Sequence, residues 1–270
     1  MDTNQQVAMV TGATGEIGKA IAQGIADKGD YAVVLAVRNA DKAERTVADI
    51  IRSTGNQDVR YELVDVSGEK SIYALAERWE GPLHVLVNNA AASPPQREET
   101  PEGIEMQFAT NVLGYLWMIQ AFTEHLKRSA PARVVNVASY YAGDLALDDL
   151  EFERRRYDNR QAYRQSKQAN RMLTVALAKR LAPYNIAINV CHPGDANSKL
   201  SNDLGFGGHE SPESAARTPV WLATEPVGQE KTGKYFEHMR EVRDRFAEDG
   251  EAIEALYLKC VEYSQIRSDQ

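Results

Sequence analysis

The chain has 270 residues, 43% hydrophobic and 26% charged, with a formal net charge of −8. That length suits a single domain over 1–270, and the acidic balance excludes a nucleic-acid face, which needs clustered basic surface. No apolar run approaches the ~18–20 residues of a membrane span or anchor. The polar opening over 1–6 has no signal-peptide pattern, and two cysteines, Cys191 and Cys260, make neither a disulfide framework nor a metal motif. The expectation is a cytoplasmic protein without a metal.

In chain order, Gln6–Val10 is a short apolar run that enters a glycine turn, Thr11-Gly-Ala-Thr-Gly-Glu-Ile-Gly18. Helical spacing follows over Ile17–Lys28, with Gly29 as its stop. Tyr31–Val37 is continuously apolar, as a strand buried on both faces should be. Asn39 is placed to cap a helix that Gly55 ends. A third strand over Val59–Val66 and a helix over Gly68–Glu80 come next. Leu83–Val87 is a fourth strand, Gly103–Arg128 a helix and Arg133–Ala138 a fifth strand.

Gly143–Arg160 is charged and irregular; its basic run Arg154-Arg-Arg156 is balanced by Glu151, Glu153 and Asp158. Gln161–Ala182 is a long helix stopped by Pro183, and Ile186–Cys191 a sixth strand. Asp195–Gly208 reads as a mobile loop, Glu210–Ala223 as a helix and Gly233–Glu237 as a seventh strand. Residues 244–264 form an amphipathic helical tail. Alternating strands and helices predict an α/β fold: a doubly wound, Rossmann-type parallel sheet of about seven strands with helices on both faces. Ligands of such sheets bind beyond the carboxyl ends of the strands, where every motif below lies.

Gly12, Gly15 and Gly18 let the main chain approach a pyrophosphate, while the helix they open aims free N–H groups at it. Thr14, Glu16 and Ile17 complete that turn. An acidic residue ~20 positions on would hold the ribose of NAD. Here Arg38 stands twenty positions after Gly18, with Asn39 next to it. A guanidinium clasps a 2′-phosphate, so NADP(H) is expected in preference to NAD(H). Asp65, with Val66 beside it, is placed to accept from an adenine amino group.

Tyr163 and Lys167 lie four apart on the long helix, so they share a face. A nearby ammonium should lower the phenol from its reference pKa of ~10 and ready it for proton transfer. Tyr140, Tyr141, Tyr157, Leu204 and Phe206 are candidate walls of an apolar substrate pocket.

These motifs together resemble the short-chain dehydrogenase/reductase family in its single-domain length class. The matching text is the glycine turn, Asn88-Asn-Ala-Ala91, Asn111-Val-Leu-Gly114, Asn136-Val-Ala-Ser139, Tyr163-x-x-x-Lys167 and Pro193-Gly194. Leu150-Glu-Phe-Glu-Arg-Arg-Arg156, Tyr163-Arg-Gln-Ser-Lys-Gln-Ala-Asn170, His192-Pro-Gly194 and Gly233-Lys-Tyr-Phe236 are most similar to the retinol-dehydrogenase-like branch. The resemblance implies catalysis by Asn111, Ser139, Tyr163 and Lys167. In it, Ser139 steadies the substrate oxygen and Asn111 holds a water that links Lys167 to solvent. It implies cofactor contacts at Asn89, Ala90, Ala91, Pro193 and Gly194, with Ser198 in place of a phosphate-binding threonine. Glu16 departs from the pattern, standing where the middle glycine is usual.

The expected activity is hydride transfer between NADP(H) and a moderately apolar ketone, aldehyde or secondary alcohol. A non-catalytic NADP(H) sensor or scaffold and a nucleotide-sugar epimerase or dehydratase are the alternatives. The resemblance also implies a homodimer or homotetramer paired through the helices at 103–128 and 161–182.

Overall fold

A computed structural model describes residues 5–265. Its strands are β1 (Gln6–Thr11), β2 (Tyr31–Val37), β3 (Val59–Leu63), β4 (Val85–Asn88), β5 (Ala132–Val137), β6 (Ile186–Cys191), β7 (Tyr235–Glu237) and β8 (Arg240–Val242). They form one sheet in the order β3-β2-β1-β4-β5-β6-β7-β8. The first seven run parallel and β8 folds back antiparallel on β7. β8 exceeds the expected seven because Arg240, Glu241 and Val242 are all exposed, leaving no apolar pattern to read.

The central strands are buried on both faces, so alternate residues feed two cores. Val7 and Met9 join one core, Ala8 and Val10 the other. α3 (Glu69–Glu77), α5 (Gly114–Arg128) and α6 (Asn159–Leu181) cover the first face through Ile72, Trp117 and Leu173. α1 (Glu16–Ala26), α2 (Ala40–Thr54) and α8 (Pro212–Thr224) cover the second through Ile21, Ile50 and Leu222. Each large apolar side chain so buried contributes about 1.5–3 kcal/mol. The Asn39 carboxamide accepts from Lys42 N at 2.9 Å, and Gly55 ends α2 at φ 76°, the expected start and stop.

Three segments depart from expectation. The helix expected over 103–128 is a turn, then α4 (Met106–Phe108), a π-helical turn (Ala109–Leu113) and α5; the π turn contains Asn111. The expected loop over 195–208 holds a short α7 (Lys199–Asp203), closed by reciprocal bonds between Ser198 and Ser201. After α8 and α9 (Val227–Glu230), the tail helix starts late, as α10 (Gly250–Gln265). Asp244 instead accepts from buried Arg171 at 2.7 Å and from Phe246 N at 2.9 Å, which holds Arg245–Ala247 in a 3₁₀ turn. α10 buries Ile253, Leu256 and Cys260 against the α5–α6 side, and Trp117 Nε1 donates to Ser264 Oγ at 2.8 Å. Part of the helical surface expected to pair subunits is thus covered by the chain itself. Among the described residues no helix is long and apolar enough to cross a membrane.

The sheet order reverses between β1 and β4, and the chain leaves these two strands in opposite directions. That divergence opens a crevice at their carboxyl ends.

Candidate active site

Thr11 locks the floor of the crevice. Its Oγ1 accepts from Asn89 N at 2.9 Å and Ala90 N at 3.1 Å, while Asn89 Nδ2 donates to Thr11 O at 3.0 Å. The glycines follow from this closeness. Gly12 has φ 65°, and a Cβ there would lie 2.8 Å from Ala90 Cα. A Cβ on Gly18 would lie 2.3 Å from the Gly12 carbonyl oxygen. Gly15 is the N-cap of α1 without a side-chain cap, so α1 turns unsatisfied N–H groups toward the crevice. Glu16 is the first helical residue, where a carboxylate favours the helix dipole. Its Oε1 accepts from Lys199 N at 3.4 Å, joining the glycine turn to α7.

The crevice encloses about 890 Å³. Gly12, Thr14, Gly15, Glu16, Ile17 and Gly18 line it, as do Arg38, Asn39, Asp65, Val66, Asn89, Ala90, Ala91 and Ser198. Fourteen of the expected cofactor contacts therefore meet in one cavity, with space for an extended dinucleotide. At the β2–β3 end Arg38 is 69% exposed, and its Nη1 lies 4.0 Å from Asp65 Oδ2. Asp65 Oδ1 accepts from Ser67 N at 3.0 Å and Ser67 Oγ at 2.7 Å. Lys42 adds a second cation to this end. Lys42, Ser93, Pro94, Glu98, Met106, Thr110 and Lys199 also line the cavity, and none was expected. Ser93, Pro94, Glu98 and Lys199 owe their places to how 92–98 and α7 fold over the crevice, and Lys42, Met106 and Thr110 to α2, α4 and the π turn, which no local pattern encodes.

The expected catalytic group lies deeper, at the carboxyl end of β5. Tyr163 and Lys167 share one face of α6, and both are buried. Lys167 Nζ donates to Val137 O at 2.9 Å, and Tyr115 OH donates to the same oxygen at 3.1 Å. Ser139 is buried, and its Oγ accepts from Tyr141 N at 3.0 Å, which leaves its proton to give. The Asn111 amide is engaged on three sides. Its Oδ1 accepts from Ala92 N at 2.8 Å, and its Nδ2 donates to Ala92 O at 3.0 Å and Ser166 Oγ at 3.1 Å. Asn111 thereby ties the crevice wall to α6.

The electrostatics correct one expectation. The phenol of Tyr163 lies above its ordinary value, not below it. Burial pushes Tyr163 up to about 12, Asp195 and Tyr140 add to the rise, and the Ser139 hydroxyl opposes it. Burial likewise brings Lys167 down to about 7. The ammonium lies 5.6 Å from the Tyr163 ring centroid and is directed to the Val137 carbonyl.

The other candidates divide. Pro193 and Gly194 follow β6 outside the cavity lining, and a Cβ on Gly194, whose φ is 144°, would lie 3.0 Å from Ala215 Cα. Tyr140 is exposed, stacks edge-on to His192 at 4.6 Å and donates to Asp195 Oδ2 at 3.3 Å. Tyr141 stacks against Phe206 at 4.7 Å, while Leu204 is buried beneath that segment. Tyr157 donates to Pro94 O at 3.0 Å and accepts from Gln107 Nε2 at 2.9 Å, so it braces the 92–98 wall from behind. Burial holds the His192 ring below the usual histidine range. Among the described residues no three His, Cys, Asp or Glu side chains gather as metal ligands would.

Residues 6–205 match the family model described as short chain dehydrogenase. Retinol dehydrogenase 13 of Mus musculus is 34% identical over 273 residues, covering 93% of this chain and 81% of the relative. A probable oxidoreductase of Streptomyces antibioticus is 34% identical, covering 90% of this chain and 88% of that protein. A structure from Mycobacterium paratuberculosis, titled a putative uncharacterized protein, superposes with TM-score 0.81 at 26% identity, covering 97% of this chain and 94% of its own. The Pseudomonas aeruginosa RhlG/NADP active-site complex gives TM-score 0.71 at 26% identity, covering 87% and 94%.

Proposed function

The chain belongs to the short-chain dehydrogenase/reductase family, in its retinol-dehydrogenase-like branch, and from this premise we propose that it is an NADP(H)-dependent carbonyl reductase. As an oxidoreductase of that family it acts on a small molecule; the coenzyme preference, substrate class and residue roles that follow are our proposal. The observation that carries it is the neighbourhood of Tyr163 and Ser139, deep beside a glycine-built cavity.

The residues present fit a nicotinamide dinucleotide. Gly12, Gly15 and Gly18 let the main chain approach a pyrophosphate closely, and α1 offers it N–H groups. Arg38 and Lys42, which line one end of the cavity, would hold the 2′-phosphate of NADP(H), and Asp65 would accept from the adenine amino group. Lys167 uses one N–H on Val137 and keeps two for ribose hydroxyls. Asn89, Ala90, Ala91, Pro193, Gly194 and Ser198 complete the binding surface. A dinucleotide bound there would supply the hydride for the carbonyl carbon of the substrate.

Tyr163 gives its proton to the carbonyl oxygen as the alcohol forms. Ser139 donates to that same oxygen and stabilises the charge gathering on it. Asn111 keeps α6 and the crevice wall in register through Ala92 and Ser166. The substrate is a moderately apolar ketone, aldehyde or secondary alcohol, admitted beside Tyr140, Tyr141 and Phe206. Buried free cysteines at Cys191 and Cys260 accord with a cytoplasmic setting.

Coenzyme consumption over a panel of ketones and aldehydes tests this. Turnover with NADPH well above NADH, reversed in Arg38→Asp, is expected. Equal use of the two coenzymes by the unaltered enzyme would contradict the role given to Arg38.

A further inference from the structure

Among the described residues the Asp195 carboxylate pairs with no lysine or arginine. β5 and β6 end side by side, with Ala138 N donating to Cys191 O at 2.8 Å. Tyr140 follows Ser139 on one strand end, and Asp195 follows Pro193-Gly194 on the other. Tyr140 is 51% exposed and the Asp195 side chain 50% exposed, so both face solvent. Both raise the Tyr163 phenol, in keeping with the place of Tyr140 next to Ser139.

The Asp195 side chain contributes little to the fold. Its loop is held by main-chain bonds: His209 N and Glu210 N donate to Asp195 O, and Asp195 N donates to Glu210 Oε1. Among the described residues the carboxylate itself receives one hydrogen bond, a long 3.3 Å contact from Tyr140 OH. Among the described residues its one ion-pair partner is His192, whose Nε2 lies 3.9 Å away in a ring that burial holds below the usual histidine range. Two other carboxylates near His192 are engaged: Glu210 accepts from Ser214 Oγ, and Glu237 from Tyr235 OH. A carboxylate offers about four acceptor positions, and Asp195 leaves most of them open.

We propose that Asp195, with Tyr140 positioned against it, selects the substrate by accepting a hydrogen bond from a hydroxyl or amino group carried close to the reacting carbonyl. This rests on the assignment of Tyr163 and Ser139 to the carbonyl oxygen. A donor reaching Asp195 replaces the long Tyr140 contact with a charge-assisted bond. Discrimination of about tenfold to a hundredfold against a substrate without the donor is then expected.

The test uses the full chain, NADPH and a matched pair of ketones, α-hydroxyacetophenone and α-methoxyacetophenone. The readout is the ratio of their kcat/KM values. The unaltered enzyme is expected to favour the hydroxy ketone by about tenfold or more. Asp195→Ala should bring the ratio near one, with Asp195→Asn between. Tyr140→Phe, which keeps the carboxylate and the ring on His192, should retain the preference. If Asp195→Ala does not fold, Asp195→Asn carries the test. An identical ratio with and without the carboxylate, both ketones being reduced, would overturn the proposal and leave the carbonyl-reductase assignment intact. No reduction of either ketone by the unaltered enzyme would overturn both.

Discussion

Lys167 directs its buried ammonium to the main-chain oxygen of Val137, 2.9 Å away, rather than to the phenol of Tyr163 one turn before it on α6. The lysine therefore anchors α6 to the end of β5. Tyr163 is left in surroundings that disfavour its charge.

A direction of reaction follows. With burial holding Tyr163 up to about 12, the phenol keeps its proton through the neutral range. Carbonyl reduction needs that proton, whereas alcohol oxidation needs the phenolate. With NADPH saturating, so that Lys167, brought down to about 7, does not act through coenzyme binding, reduction should hold steady across neutral pH and decline only as pH approaches about 12. Oxidation should rise roughly tenfold per pH unit through the alkaline range below that value. Initial rates in both directions across pH check this. A reduction rate that halves near pH ~7 would contradict it.

The glycine turn makes a steric prediction. A methyl at residue 18 would stand 2.3 Å from a main-chain carbonyl and 2.6 Å from Asn89 Nδ2. The carbonyl cannot rotate away without opening the turn. Gly18→Ala should lower stability by about 1–3 kcal/mol and weaken NADPH binding. Thermal melting and NADPH titration read the two effects. Unchanged values for both would mean that α1 shifts freely against β1.

A second buried acid, away from the reacting groups, gives a pH-dependent stability. Glu105 caps α4, accepting from Gln107 N at 2.9 Å and Phe108 N at 2.7 Å. Burial pushes its carboxyl up to about 7, with Glu151 adding; the two N–H donors and Arg97 oppose the rise. The folded state therefore binds this proton more tightly than the unfolded chain does, between the ordinary 4.5 and about 7. The stabilisation is present below that window and lost as pH rises through it, on the order of 3 kcal/mol in all. Glu105→Gln should flatten the melting temperature across the window. A mutant with the same pH slope as the unaltered protein would place that slope in another group.

Much of this was legible before the structure. β2 reads as a buried strand because every residue from Tyr31 to Val37 is apolar or aromatic, and Asn39 marks the start of α2. The glycine turn could be assigned because it stands between a strand and a helix, where close approach has a use. Other parts depend on contacts far along the chain. β8 pairs through its main chain and carries exposed side chains, so its residues have no strand pattern. The late start of α10 follows from Arg171, which draws Asp244 out of the helix. The phenol of Tyr163 departed from expectation because spacing places Lys167 on the same face but does not say that Val137 takes its ammonium. The engagement of Asn111 with Ala92 and Ser166 depends on the π turn, which sequence spacing does not encode.

The central claim is that Tyr163 gives its proton to a carbonyl reduced by NADPH. Tyr163→Phe removes one oxygen from a buried ring and leaves the glycine cavity intact. NADPH consumption on a ketone that the unaltered enzyme reduces should fall by at least about a thousandfold, with the NADPH dissociation constant within about threefold. Turnover retained at the unaltered rate would remove Tyr163 from the chemistry.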